Sequence, residues 1–101
     1  MTTPIANERV ALILMKSFEA EATIDMLRTI YPALNVVDND TYYTLANDEE
    51  IVVDMDLLGE EMGRPISVGE WLVVLSSYVG RPSNEATRFR VTADMLQINT
   101  R

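Results

Sequence analysis

Cysteine and histidine are both absent from this sequence. Their absence excludes disulfides, thiolate nucleophiles, zinc sites built on either residue, haem held through them, and every catalytic triad that runs through imidazole. Lysine is nearly absent: Lys16 is the sole one, and it stands at the end of an apparent strand, where a solvated charge is a simpler reading than a catalytic amine. Basic residues are scarce overall. Eight Lys and Arg face sixteen Asp and Glu, for a net charge of −8. That balance opposes nucleic-acid binding, whose affinity comes largely from neutralised phosphates. No apolar run approaches the roughly 18 residues a membrane span requires. The start, "MTTPIANERV", lacks the basic region and apolar run of a signal peptide. A cytoplasmic protein without membrane attachment is therefore expected. At 101 residues there is room for one domain and one core, and hardly for a deep enclosed site as well.

What is present is a folded, apolar-rich chain, 48% hydrophobic, with unevenly placed charge. From Asp38 to Glu61 there are only acids and no base, whereas Arg81, Arg88, Arg90 and Arg101 lie in the last fifth of the chain. The acidic stretch reads as a solvated surface or as a steering field toward a basic patch on a partner.

The uninterrupted apolar run of "RVALILMK", Arg9 to Lys16, predicts a strand buried on both faces. Ser17 is placed to cap a helix whose stripe is Ala20, Ile24, Leu27 and Tyr31, stopped by Pro32. "LNVV" predicts a short strand, "DND" a turn, and "TYYTLA" with "EIVV" a hairpin closed by Asn47 and Asp48. Asp54 or Asp56 can cap a short helix with the stripe Met55, Leu58 and Met62, ended by Gly63. "SVGE", Ser67 to Glu70, is a capping box. The helix it opens is expected to run through "WLVVLSSYVG" to Gly80, with Val68, Leu72, Leu75 and Val79 toward the core. Its other side would carry Glu70, Val73, Val74 and Ser77, flanked by Ser76 and Tyr78, a smooth and weakly polar surface that another element or a partner should cover. "TRFRVTA" alternates as a half-exposed last strand. The expectation is an α+β domain, a small sheet with packed helices in the order β-α-β-β-β-α-α-β. It spans 10–93, between a short N-terminal tail, 1–9, and a C-terminal tail, 94–101.

The segment "GEEMGRPISVGEWLVVLSSYVGR" resembles the signature region of the regulatory, or coupling, proteins of bacterial multicomponent monooxygenases. These are the effector components of soluble methane monooxygenase, phenol hydroxylase and toluene monooxygenase. The shared pattern is Gly63-Arg64, an acid at Glu70, and the serines before Gly80. Likeness to the methane type adds Tyr42-Tyr43, Ala46-Asn47, Val53-Asp54, Gly80-Arg81 and the strand Phe89 to Thr92. Departures are the few residues ahead of the first strand, where the methane type has a long tail, the tyrosines at 42 and 43 in place of tryptophan, and the bulk of Tyr78.

The resemblance implies the effector-protein fold and a chain with no cofactor and no activity of its own. Such a chain, monomeric when free, would bind a hydroxylase whose non-haem diiron centre activates O2, with the reductase as a competitor. It would control substrate access and electron-transfer coupling in hydrocarbon oxidation, with a lean toward small alkanes or alkenes. The residues implied to dock are Glu70, Val73, Val74, Ser76, Ser77, Tyr78 and Arg81. Two other classes compete. A small-ligand-binding regulatory α+β domain would need a glycine-rich loop or polar pocket lining, which the sequence lacks. A carboxylate enzyme built on Asp54 and Glu60 would need a cleft.

Overall fold

The apolar run near the start forms β1, Val10–Met15. Its pleat sends Val10, Leu12 and Leu14 into the core with no exposed surface, while Ala11 and Ile13 stay half exposed and Met15 is exposed. The computed structural model describes residues 10–93; the two expected tails, 1–9 and 94–101, lie outside the described residues. Along the described chain β1 is followed by α1 (Phe18–Ile30), β2 (Asn35–Asn39), β3 (Tyr42–Asn47) and β4 (Glu50–Asp54). Then come α2 (Met55–Met62), α3 (Val68–Leu72), β5 (Leu75–Val79), β6 (Arg81–Asn84) and β7 (Arg88–Thr92).

Local chemistry explains most element ends. The Ser17 hydroxyl accepts the Ala20 N–H at 3.0 Å and starts α1, with Glu19 and Glu21 in the first turn, where the helix dipole favours acids. One Asp54 carboxylate oxygen accepts the N–H groups of Asp56 and Leu57, at 2.9 and 3.2 Å, and starts α2. Gly63 ends it in the left-handed region, at φ 83°. Ser67 and Glu70 close both bonds of the expected capping box. Asp54, one of the two acids of the carboxylate-enzyme reading, is thereby committed to a helix end.

Two antiparallel sheets result. The first has the order β2-β3-β1-β5, the second β4-β7-β6. α1 packs on the inner face of the first sheet and on α2, and the core gathers Leu12, Leu14, Leu27, Leu45, Ile51, Val53, Leu58, Trp71 and Val91 among others. The Trp71 ring, fully buried, lies 5.3 Å from Phe89. Its indole N–H donates to the buried Thr23 hydroxyl at 3.0 Å, which donates to the Glu19 carbonyl at 2.7 Å.

Five expectations are corrected. β3 and β4 do not form a hairpin: both edges of β3 are taken, by β1 and β2, so β4 crosses to the second sheet and pairs with β7. The hairpin is β2–β3, and "DND" runs into its strand, leaving Asp40 and Thr41 for the turn. β1 is central but buried on one face only. The helix opened by Ser67 ends at Leu72, so the serine segment is a strand, β5, and β6 follows it as a strand the sequence did not announce. Val79, expected in the core, is 54% exposed, whereas Val68, Leu72 and Leu75 do pack against the core.

The reason for the early helix end is competition for backbone donors. After Leu72 the bonds tighten, with Val73 N–H to Glu70 O at 3.3 Å and Val74 N–H to Trp71 O at 3.0 Å. Then the Val74 carbonyl accepts the Met15 N–H at 2.9 Å, and the chain adds to the edge of β1. A continued helix would leave that edge of a core strand unpaired, at the cost of buried donors without partners.

Candidate functional site

β5 lies antiparallel to β1, with Leu75 opposite Leu14, Ser77 opposite Ile13, Tyr78 opposite Leu12 and Val79 opposite Ala11. The register shifts between Ile13 and Leu14, which leaves Ser76 as the extra residue of a bulge. Cross-strand partners share a face, so Ser77 and Val79 point outward with Ile13 and Ala11, and Tyr78 points inward with Leu12. There the Tyr78 ring meets Phe89 edge-on at 6.3 Å and lines an open cleft with Leu72, Leu75, Pro82 and Phe89. Leu75 belongs to the pair flanked by the bond from Met15 N–H to Val74 O. Its own N–H and C=O therefore point away from β1, toward the open edge of the sheet.

The residues expected to dock thus divide. Ser76, Ser77 and Tyr78 come together as exposed positions of one edge strand. Val73, 77% exposed, sits at the turn leading into it, and Val74 is half-buried with its carbonyl bound to β1. Arg81 is exposed at the start of β6. Glu70 is held elsewhere: its Oε1 accepts the Ser67 N–H at 3.0 Å, and its Oε2 lies 3.9 Å from Arg64, so it serves the helix start.

The outer face of the four-stranded sheet was missed by the sequence reading. The register sets Ala11 between Ala46 and Val79, Ile13 between Thr44 and Ser77, and Met15 beside Tyr42; Val37 extends the Ile13 row onto β2. Met15 is 55% exposed, Val37 44% and Tyr42 40%. None of these positions is charged. The polar ones at the β2 end satisfy one another, since the Asn39 amide donates to the Thr44 hydroxyl at 3.0 Å. The charges of the same strands lie on the opposite side. Lys16 forms an ion pair with Asp38 and sits 5.1 Å over the Tyr43 ring, and the hydrogen bond with Asp38 raises its pKa above the ordinary value. Asp38 and Tyr43 line a groove with Glu21, Asp25 and Arg28 of α1. An antiparallel sheet with one solvated face normally alternates apolar-in and polar-out; here the outer face is uncharged and mixes apolar side chains with small polar ones. Covering the apolar ones would contribute about 1 kcal/mol each, since about half of each is still in water.

Among the described residues no group of His, Cys, Asp and Glu could hold a metal ion, every buried side-chain nitrogen and oxygen has a hydrogen-bond partner, and no helix is long and apolar enough to cross a membrane. The described residues offer surfaces for contact.

Known proteins are similar to this chain in sequence and in fold. The chain is 32% identical over 98 residues to methane monooxygenase regulatory protein B of Methylosinus trichosporium, covering 92% of this chain and 71% of that protein. It is 29% identical over 99 residues to the protein of the same name from Methylococcus capsulatus, covering 92% and 70%. The structure of the soluble methane monooxygenase regulatory protein B superposes with a TM-score of 0.68 at 26% identity, over 92% of this chain and 71% of that one. A chain from a phenol hydroxylase–regulatory protein complex superposes with a TM-score of 0.76 at 14% identity, over 84% and 98%, and so shares the fold. The sequence pattern of the MmoB/DmpM family matches residues 8–92, and the chain belongs to that family.

Proposed function

We propose that this chain is the regulatory component of a multicomponent monooxygenase, and that it acts by binding the hydroxylase and adjusting substrate access and the coupling of electron transfer to oxidation. The family match across residues 8–92 carries the reading. Regulatory proteins of this family carry no cofactor and are the non-catalytic components of their systems. The absence of histidine and cysteine suits that role, because the chain has no side chains with which to hold the iron of a diiron site through imidazole or thiolate. The expected cytoplasmic location belongs to this reading, as does the lean toward small alkane or alkene substrates, which the methane-type relatives favour.

Docking is assigned to β5, through Ser76, Ser77 and Tyr78, with Val73, Val74 and Arg81 at its two ends. Small hydroxyl side chains let a partner backbone approach closely, and Tyr78 is a rigid anchor with a polar tip, braced by Phe89. The test adds the purified chain to a matched hydroxylase and reductase and measures turnover and the product formed per reductant consumed. The expected result is a rise in rate or coupling with the natural chain. Ser77→Leu, which enlarges an exposed residue and leaves the core untouched, should keep the melting temperature and weaken hydroxylase binding about tenfold. No effect of the natural chain on any matched hydroxylase would overturn the reading.

A further inference from the structure

We propose that the hydroxylase contact extends from β5 across the outer face of the four-stranded sheet, and that Ile13, Met15, Val37, Tyr42 and Val79 form its dry centre. This inference rests on the function proposed above. Four observations lead to it. β1 has the continuous apolar sequence of a strand buried on both faces, yet in the described chain one of its faces is open. That face carries no charge on a chain of net charge −8, and the charges of the same strands, Lys16 and Asp38, are turned to the α1 side. It is continuous with β5, because Ser77 and Val79 are its last column.

Size is the fourth observation, and it separates the hydroxylase from a second copy of this chain. Four strands about 4.8 Å apart and six residues about 3.3 Å apart cover roughly 400 Å². A stable interface takes about 800 Å² per partner, so the face alone is too small for a firm dimer. Joined to the edge and turn of β5, it approaches the size of a specific contact. The surface it fits on the hydroxylase is uncharged and mostly apolar, with groups that can meet the Ser77 hydroxyl at the β5 edge.

Met15 is a natural footprinting probe. In the free full-length chain, hydrogen peroxide should oxidise Met15 about tenfold faster than Met55 and Met62, which are buried. Adding the hydroxylase should slow Met15 oxidation at least fivefold, whereas raising the concentration of this chain alone should not. Met15→Lys and Val37→Lys should each weaken hydroxylase binding at least tenfold with the melting temperature kept. Leu57→Lys, on α2 and 44% exposed like Val37, should change it less than twofold. Slow oxidation of Met15 in the free chain would mean that its own end segments cover the face, and protection by self-concentration would mean a second copy does; either overturns the proposal. Wild-type binding with Met15 unprotected, or with both lysine variants binding as tightly as Leu57→Lys, overturns the extension and leaves the role of β5 standing. A natural chain that binds no matched hydroxylase overturns the function reading itself.

Discussion

Tyr31 shows how one side chain ties two elements together. It follows α1, and its hydroxyl accepts the Val52 N–H of β4 at 3.0 Å. Burial raises its pKa above the ordinary 10.0, and the Val52 bond pulls the other way with smaller effect. The unfolded chain therefore releases this proton at lower pH than the folded one. The stabilisation is whole below the unfolded value and is lost as pH rises through the folded value. Lys16, raised by Asp38, adds a loss of the same direction in the same range. With no histidine, no side chain has an unperturbed pKa in the neutral range. Urea denaturation should thus show stability falling above about pH 10. Tyr31→Phe should cost about 1 kcal/mol at pH 7 and flatten part of that alkaline fall. An alkaline fall as steep in Tyr31→Phe as in the natural chain would show that Tyr31 is not its source.

At the scale of elements, the decisive stretch is Val73 to Val79. Its apolar positions fit a helical stripe at spacings of three and four, and the capping box ahead of it supplies a real helix start. They fit a strand equally well, with Leu75 inward and Ser77 outward. The β-branched valines and the tyrosine were the local signal for a strand. What decided between the two periods was the vacant edge of β1, a partner distant in sequence. Gly80, between β5 and β6, is the hinge that lets the chain leave one sheet and enter the other. Its φ is 122°, and a Cβ there would stand 2.7 Å from the Thr92 carbonyl oxygen and 2.8 Å from a Val91 methyl. Gly80→Ala should destabilise by about 2 to 3 kcal/mol, read as a lowered urea midpoint with an unchanged slope. A midpoint equal to that of the natural chain would show that the turn relaxes without loss.

Across the whole molecule, charge and contact are separated. The acids of the stretch Asp38 to Glu61 include Asp38, paired with Lys16, Glu50, paired with Arg90, and Asp54, a helix cap. Asp56, Glu60 and Glu61 lie exposed on α2, away from the uncharged sheet face. On the proposed reading such a field would act at a distance, on encounter, and the uncharged sheet face on residence. Stopped-flow association with the hydroxylase should slow as salt rises from about 0.1 M to 1 M, where the Debye length shrinks from about 10 Å to 3 Å, while dissociation changes little. An on-rate indifferent to salt would return the acidic stretch to the role of a solvated surface.

Local chemistry is short-ranged, and the sequence alone determined what depends on it. Ser17, Asp54, Gly63 and the Ser67–Glu70 box start or stop their helices within a few residues of themselves, and the apolar stripe of α1 needs only its own periodicity. The pattern around Gly63-Arg64 and the two serines, taken together with Tyr42-Tyr43, Val53-Asp54 and the strand Phe89 to Thr92, indicated the family. Pairing is a long-range decision, and only the tertiary structure made it. β4 left β3 because both edges of β3 were occupied, and the exposed "RPSN" became β6 only because β7 offered an edge on which Pro82 is tolerated. The site divides the same way. Ser76, Ser77 and Tyr78 were legible as a surface because they lack the charges a solvated face would carry. The open sheet face was not, because Met15, Val37, Tyr42 and Val79 lie on four strands, and an apolar residue turned outward looks in sequence like one turned in.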